Sequence, residues 1–203
     1  MFTINIYLKF ALIGLFFVGG IIMSFILGFG YTWIFILIGL GLLVSYILLG
    51  TVQSASEMLQ SMNFDGAEKR LNLTYFPKFL YVTNRAFYFI LKGSLAAQRK
   101  DNTAAEGFFN QALGLKLPSD NEKGMVLLQM AGIQAQKNNW NGAKNYFYQA
   151  KGLKITEPQL KEQFKQFETA ITNRGQMKVA QSMGMKTGQT MSPGGKRRRP
   201  KMR

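Results

Sequence analysis

The sequence predicts an all-α protein in which two transmembrane helices precede an α-solenoid of about three helix pairs and a capping helix. Two observations support this prediction. The 47 residues between Lys9 and Glu57 contain no formal charge, and the polar remainder repeats itself at an offset of 38 residues. We expect an apolar hairpin in residues 1–50, a repeat domain in 51–174 and a disordered basic tail in 175–203.

The uncharged segment is long enough for two membrane crossings, because a bilayer core about 30 Å thick needs ~20 apolar residues per helix. Glycines and interfacial aromatic residues at positions 28–33 are typical of a tight turn at a membrane surface. We therefore expect helices at residues 6–28 and 32–50. A cleaved signal peptide is the less favoured alternative, because no small-residue cleavage site follows the first span.

The distribution of basic residues predicts the topology of the hairpin. The turn contains no Lys or Arg, whereas the amino terminus and Lys9 flank the other end of the hairpin and Lys69, Arg70, Lys78 and Arg85 follow the second span. By the positive-inside rule, this pattern predicts a multi-pass integral membrane protein with both termini and the repeat domain in the cytoplasm.

Small residues recur at helical spacing in both spans. In lipid, small residues four apart allow the backbones of two helices to approach closely. They predict either packing of the hairpin against itself or contact with a second membrane protein. The residues are Gly20, Ser24, Gly28, Gly41 and Ser45.

The repeat is clearest between residues 104–116 and 142–154, which are identical at seven of 13 positions. A weaker copy begins near Phe64. A small residue stands 12 positions before the first alanine of each copy, at Ala55, Gly93 and Ala131. This spacing predicts pairs of antiparallel helices that approach closely at the small residues, with Phe109 or Phe147 filling the space between them.

This pattern resembles the tetratricopeptide repeat over residues 51–155. The period of 38 residues is longer than the about 34 residues of that family. Thr74 replaces the last alanine in the first copy. The positions that define the family's repeat pattern correspond to Gly93, Ala105, Phe109 and Ala112 in the second copy, and to Ala131, Ala143, Phe147 and Ala150 in the third.

The resemblance implies a concave face, built from the first helix of each pair, that binds a helix or an extended peptide of a protein partner. The alternative is that the same residues pack against a neighbouring helix. The candidate lining is Phe87, Ile90, Ser94, Gln98, Met125, Leu128, Gly132 and Gln136.

Several helix boundaries can also be predicted. Capping boxes begin at Thr103 and Ser119. An apolar stripe beginning at Val52 predicts that the first repeat helix continues from the second span without a linker. A last amphipathic helix is expected to stop at Gly175 and to cap the array.

The chain contains no His and no Cys. Zinc sites built on these residues are therefore excluded, as are His-dependent catalytic triads. The carboxylates form no defensible catalytic pair. We predict no catalytic residue, no metal site and no cofactor, and we expect a scaffold or adaptor rather than an enzyme.

Residues 175–203 contain eight basic residues and no acidic residue. Three interpretations are open: an anionic lipid surface, RNA or a ribosome as the partner, or a tail that affects only topology and solubility. The residues predicted to bind an anionic surface are Lys196, Arg197, Arg198, Arg199, Lys201 and Arg203.

Overall fold

The computed structural model describes residues 6–182, except for the side chains of residues 6, 27, 29, 31 and 175–182. In that range the chain forms nine α-helices, one short 3-10 helix (Pro77–Phe79) and no strand, which confirms the all-α prediction. The chain divides between Thr156 and Glu157 into two compact units. The helices are α1 (Ile6–Leu27), α2 (Phe29–Leu49), α3 (Val52–Gln60), α4 (Phe64–Asn72), α5 (Val82–Gln98), α6 (Asn102–Leu113), α7 (Asp120–Gln136), α8 (Trp140–Lys151) and α9 (Pro158–Ser182).

Helices α1 and α2 pack against each other as an antiparallel pair, which we call the apolar hairpin. Both are long and apolar enough to cross a membrane, by length and composition. The turn is shorter than residues 28–33, because α2 already begins at Phe29. Gly28 alone reverses the chain, with φ 86° and ψ 150°, in a region that glycine adopts readily. Thr32 then donates its hydroxyl hydrogen bond to the Gly28 carbonyl at 3.3 Å.

Two glycines allow the close approach of α1 and α2. A Cβ atom at Gly20 would lie 3.0 Å from Ile36 Cγ1, and one at Gly39 would lie 2.8 Å from the backbone nitrogen of Phe17. The prediction for Gly20 is confirmed. Gly41 does not pack the hairpin against itself, because nothing lies within 4 Å of its Cβ position; Gly39 serves instead on α2. Contact of Gly41 with a second membrane protein stays a prediction.

The first repeat helix does not continue directly from α2. Gly50 adopts a left-handed conformation with φ 63°, and α3 begins two residues later at Val52. Helices α5 and α7 have 17 residues each, whereas α3 has nine. By the 38-residue register, the first helix of the first pair would begin at Val44. Residues 44–49 belong to α2 instead, so only the later part of that helix forms, as α3.

The pairs α3/α4, α5/α6 and α7/α8 each contain the same tight turn. One non-glycine residue per turn is left-handed, and these residues are 38 positions apart: Met62, Lys100 and Asn138. The next residue caps the following helix by accepting a backbone N–H bond: Asn63 from Gly66, Asp101 from Ala104 and Asn139 from Gly142. The first copy therefore shares the turn and the cap of the repeat, although its helices are shorter.

These turns revise one predicted helix start. Asp101, not Thr103, caps α6, because its carboxylate reaches the backbone N–H of Ala104 at 3.0 Å. The prediction for Ser119 is confirmed: it caps α7, accepts from the Asn121 backbone N–H at 3.2 Å and donates to the Glu122 carboxylate.

The interior of each pair consists of the residues that the repeat predicts. Ala55, Gly93 and Ala131 are buried on the first helices. Opposite them, the second helices bury Leu71, Phe109 and Phe147 at equivalent positions. The contact is closest in the second pair, where a Cβ atom at Gly93 would lie 2.7 Å from Phe109 Cε1.

Helix α9 belongs to the second unit. It extends to Ser182 and does not stop at Gly175. A single glycine costs a helix only about 1 kcal/mol, and the residues that follow it, such as Gln176, Met177 and Lys178, are good helix formers.

Candidate partner-binding surface

The apolar residues of the predicted lining contribute to packing. Ile90 is buried in one cluster with Phe109 and Val126, and Phe87 and Met125 are half-buried against that cluster. Leu128 is buried as well. These four predicted residues (Phe87, Ile90, Met125 and Leu128) therefore do not form an exposed apolar groove, because they fill space inside the fold.

The polar and small residues of the predicted lining are more accessible. Ser94 and Gly132 are half-buried, and Gln98 and Gln136 are exposed. The Gln136 side chain accepts a hydrogen bond from Asn102 Nδ2 at 3.2 Å. We call these four lining residues of α5 and α7 the amide face: Ser94, Gln98, Gly132 and Gln136. It offers hydrogen-bonding groups rather than apolar pockets.

The six basic residues predicted to bind an anionic surface lie outside the described residues. They are Lys196, Arg197, Arg198, Arg199, Lys201 and Arg203. Their candidate role therefore depends on the sequence pattern. Residues 183–203 as a whole also lie outside the described part of the chain.

Two ion pairs that the sequence analysis does not predict link successive helix pairs. Arg99 at the end of α5 donates from Nη1 to Glu68 Oε1 at 2.8 Å. Lys137 at the end of α7 donates to Glu106 Oε2 at 2.7 Å. Both partners recur at the 38-residue offset, and this is the signal that could have revealed the pairs.

The two ion pairs join the first helix pair to the second, and the second to the third, at equivalent positions. The hydrogen bond and charge of Glu68 raise the pKa of the Arg99 guanidinium, so the guanidinium itself stays charged. Glu106 also accepts from Gln134 Nε2 at 2.7 Å. The Lys137 pair is less exposed than the Arg99 pair and is therefore less screened by water.

The end of α2 is joined to the first helix pair by a hydrogen-bonded contact that we call the junction. Thr51 donates its hydroxyl to the Arg70 carbonyl, and its backbone N–H donates to Thr74 Oγ1 at 3.3 Å. The two threonine hydroxyl oxygens lie 2.9 Å apart. Thr74, which departs from the repeat, thus provides a hydroxyl where alanine would provide none. Tyr46 of α2 also donates to the Leu73 carbonyl.

The junction also uses the last carbonyl groups of α2, which have no partner inside the helix. The backbone N–H of Tyr81 donates to the Leu48 carbonyl at 2.9 Å, and Asn84 Nδ2 donates to the Leu49 carbonyl at 3.2 Å. On the other side, the Arg70 guanidinium lies 4.3 Å from the centre of the Tyr7 ring in α1. The repeats are therefore held to both helices of the hairpin.

No group of three or more His, Cys, Asp or Glu residues that could hold a metal ion occurs in the described part of the chain. No protein-family model, curated protein or solved structure matches the chain. A function is therefore inferred from the apolar hairpin, the junction and the amide face.

Proposed function

We propose that the protein is a membrane-anchored adaptor. The apolar hairpin spans the membrane, and the helix pairs present a protein-binding surface on the cytoplasmic side. The observation that carries the membrane part is the exposure of the hairpin. Only 6% of the first candidate span and 11% of the second are buried, whereas the core helix of a soluble protein is mostly buried.

The side chains on the outside of the hairpin support this proposal. Leu15, Phe25 and Ile26 are more than half exposed, and water would solvate such a surface poorly. A bilayer provides an apolar environment on all sides of the pair. The backbone groups satisfy each other within the helices, as hydrocarbon requires.

Charge supports the proposed orientation. Arg70, Lys78 and Arg85 follow the second span, and the junction holds this part of the chain near the end of α2. The turn at Gly28, at the other end of the hairpin, has no basic residue beside it. The positive-inside rule then favours repeats in the cytoplasm.

Topology can be tested with single cysteines, since the chain has none. Gly30→Cys, in α2 beside the turn, and Gln149→Cys on α8 occupy exposed positions. An impermeant maleimide should label the first in intact cells and the second only after permeabilisation. Extraction of the native chain by carbonate, or labelling of both cysteines from outside, would contradict the anchor or its orientation.

The adaptor role depends on the amide face. In that role the hydrogen-bonding groups of Gln98 and Gln136 select the partner, and the junction confines the surface to the plane of the membrane. Confinement raises the effective concentration of a bound partner near other membrane components. Photo-crosslinking residues at Gln98 and Gln136 should give discrete adducts in membranes. Equal adducts from Gln149, an exposed glutamine on α8, would contradict a specific face.

A second candidate function is suggested by the charge of residues 175–203, which contain eight basic residues and no acidic residue. In this case the protein tethers RNA, a ribosome or an anionic lipid surface through the tail. The full chain in nanodiscs should bind RNA with a steep salt dependence. Reversing Arg197, Arg198 and Arg199 to Glu should weaken that binding, and unchanged binding at low salt would refute the tether.

A further inference from the structure

An exposed aromatic segment lies between α4 and α5. Tyr75, Phe76, Phe79 and Tyr81 are each 58–71% exposed. Among the described residues outside the hairpin, the other large apolar side chains with exposure above one half are Met62 and Tyr148. Exposed aromatic residues are thus concentrated in one loop, residues 75–81, which we call the aromatic loop.

The aromatic loop exists because the first helix pair departs from the repeat. Helices α6 and α8 end 38 residues apart, at Leu113 and Lys151. The same register would end α4 at Tyr75, but α4 ends three residues earlier, at Asn72. Leu73, Thr74 and Tyr75 therefore leave the helix, and the connection to α5 is longer by these three residues. This happens only in the pair that adjoins the apolar hairpin.

Two anchors hold the aromatic loop beside the end of α2. Leu80 is buried, and its Cδ2 atom lies 3.2 Å from the position of a Cβ atom at Gly50. The next residue, Tyr81, donates its backbone N–H to the Leu48 carbonyl at 2.9 Å. Leu48 and Leu49, the last residues of α2, are themselves 44% and 50% exposed. The exposed aromatic residues thus continue the apolar surface of the hairpin where the span ends.

The charged residues in the aromatic loop and next to it in the sequence have one sign. Residues 69–85 contain four basic residues and no acidic residue. Lys78 lies within the loop and is exposed, and Arg85 lies one turn into α5, where its Nη1 donates to the Lys78 carbonyl at 3.4 Å. This arrangement suits a layer that is apolar on one side and carries phosphates on the other.

We propose that the aromatic loop is a second membrane contact, which lies in the headgroup layer of the leaflet where the hairpin ends. This inference rests on the proposed membrane anchor. Tyrosine rings are favourable at that depth because the apolar ring leaves water while the hydroxyl group stays hydrated. The phenylalanine rings add apolar surface that leaves water on the hydrocarbon side of the layer. Lys78 and Arg85 face the lipid phosphates. The contact fixes the helix pairs against the bilayer, so that they cannot swing freely about the junction.

The absence of cysteine allows a direct test of depth. Phe79→Cys is labelled with the fluorophore NBD in the full chain and reconstituted in pure phosphatidylcholine and phosphatidylglycerol vesicles. Tyr148→Cys provides a matched control, since Tyr148 is an aromatic residue of similar exposure on α8. We expect blue-shifted emission from the loop label and several-fold stronger quenching by lipids spin-labelled near the headgroup than at the control position.

Lys78→Cys is a second loop variant that retains all four aromatic side chains. It reports the depth of the loop even if the removal of Phe79 in the first variant weakens the membrane contact. Trp33 in α2 reports insertion of the hairpin, in a background with Trp140→Phe. If the lipid probes quench Trp33 but quench neither loop label, the aromatic loop is not a membrane contact and the anchor stands. If Trp33 is unquenched as well, the anchor itself fails.

Discussion

Replacing Gly93 by alanine adds one methyl group where the second helix pair has no room for it. The new Cβ atom would lie 2.7, 2.8 and 3.0 Å from three ring atoms of Phe109. Ordinary carbon contacts are about 3.5–4.0 Å. Phe109 is fully buried, so its ring can move only by displacing other core side chains.

The size of the effect follows from two opposing terms. Alanine is favoured over glycine inside a helix by about 1 kcal/mol, while overpacking of a core costs about 1–3 kcal/mol. We expect a net loss of stability of about 1 kcal/mol. In a chain of this length, that corresponds to a Tm lower by about 2–4 °C.

Gly132 provides the matched control, because it lies inside α7 and nothing is within 4 Å of its Cβ position. Gly132→Ala should therefore raise stability by about 0.5–1 kcal/mol. The two variants carry the same chemical change and are expected to shift Tm in opposite directions. Thermal unfolding of the full chain in one detergent, followed by circular dichroism at about 222 nm, measures both.

The first repeat suggests a rescue. There, Ala55 lies on the first helix and Leu71 on the second, at positions equivalent to Gly93 and Phe109. In a Phe109→Leu background, Gly93→Ala should become neutral or stabilising, which a double-mutant cycle detects. A Gly93→Ala variant as stable as Gly132→Ala would refute the reasoning, because it would mean that the ring is not the obstacle.

Three further predictions concern the hairpin, the junction and the repeats. Gly39→Ala should lower the free energy of unfolding of the hairpin by about 1–3 kcal/mol, whereas Gly41→Ala should not lower it. An SDS titration followed by helicity measures both variants, and equal effects would contradict the packing of α1 on α2. Thr74→Val should cost about 1–3 kcal/mol, because it leaves the N–H of Thr51 without its acceptor; unchanged amide exchange at the junction would argue against that bond. Lys137→Gln should cost no more than about 1 kcal/mol and lose its effect in high salt; a salt-independent loss would show a role other than the ion pair.

Much of the fold was predictable from local patterns. Apolar length predicts two helices long enough to cross a membrane, and the 38-residue spacing predicts which side chains lie between paired helices. Ala105, Phe109 and Ala112 are all fully buried, as expected from their positions on one helix face. These features could be predicted because periodicity determines which residues of a helix share a face.

The sequence could not reveal how each helix is rotated against its neighbour, and that rotation decided the remaining details. Gly39 rather than Gly41 meets α1, because the two glycines lie on different sides of α2. Ile90 lies in the core rather than on an open face for the same reason. The junction and the aromatic loop depend on contacts between residues far apart in the chain, such as Tyr81 with Leu48. Local periodicity carries no information about such pairs, so the folded structure was needed to find them.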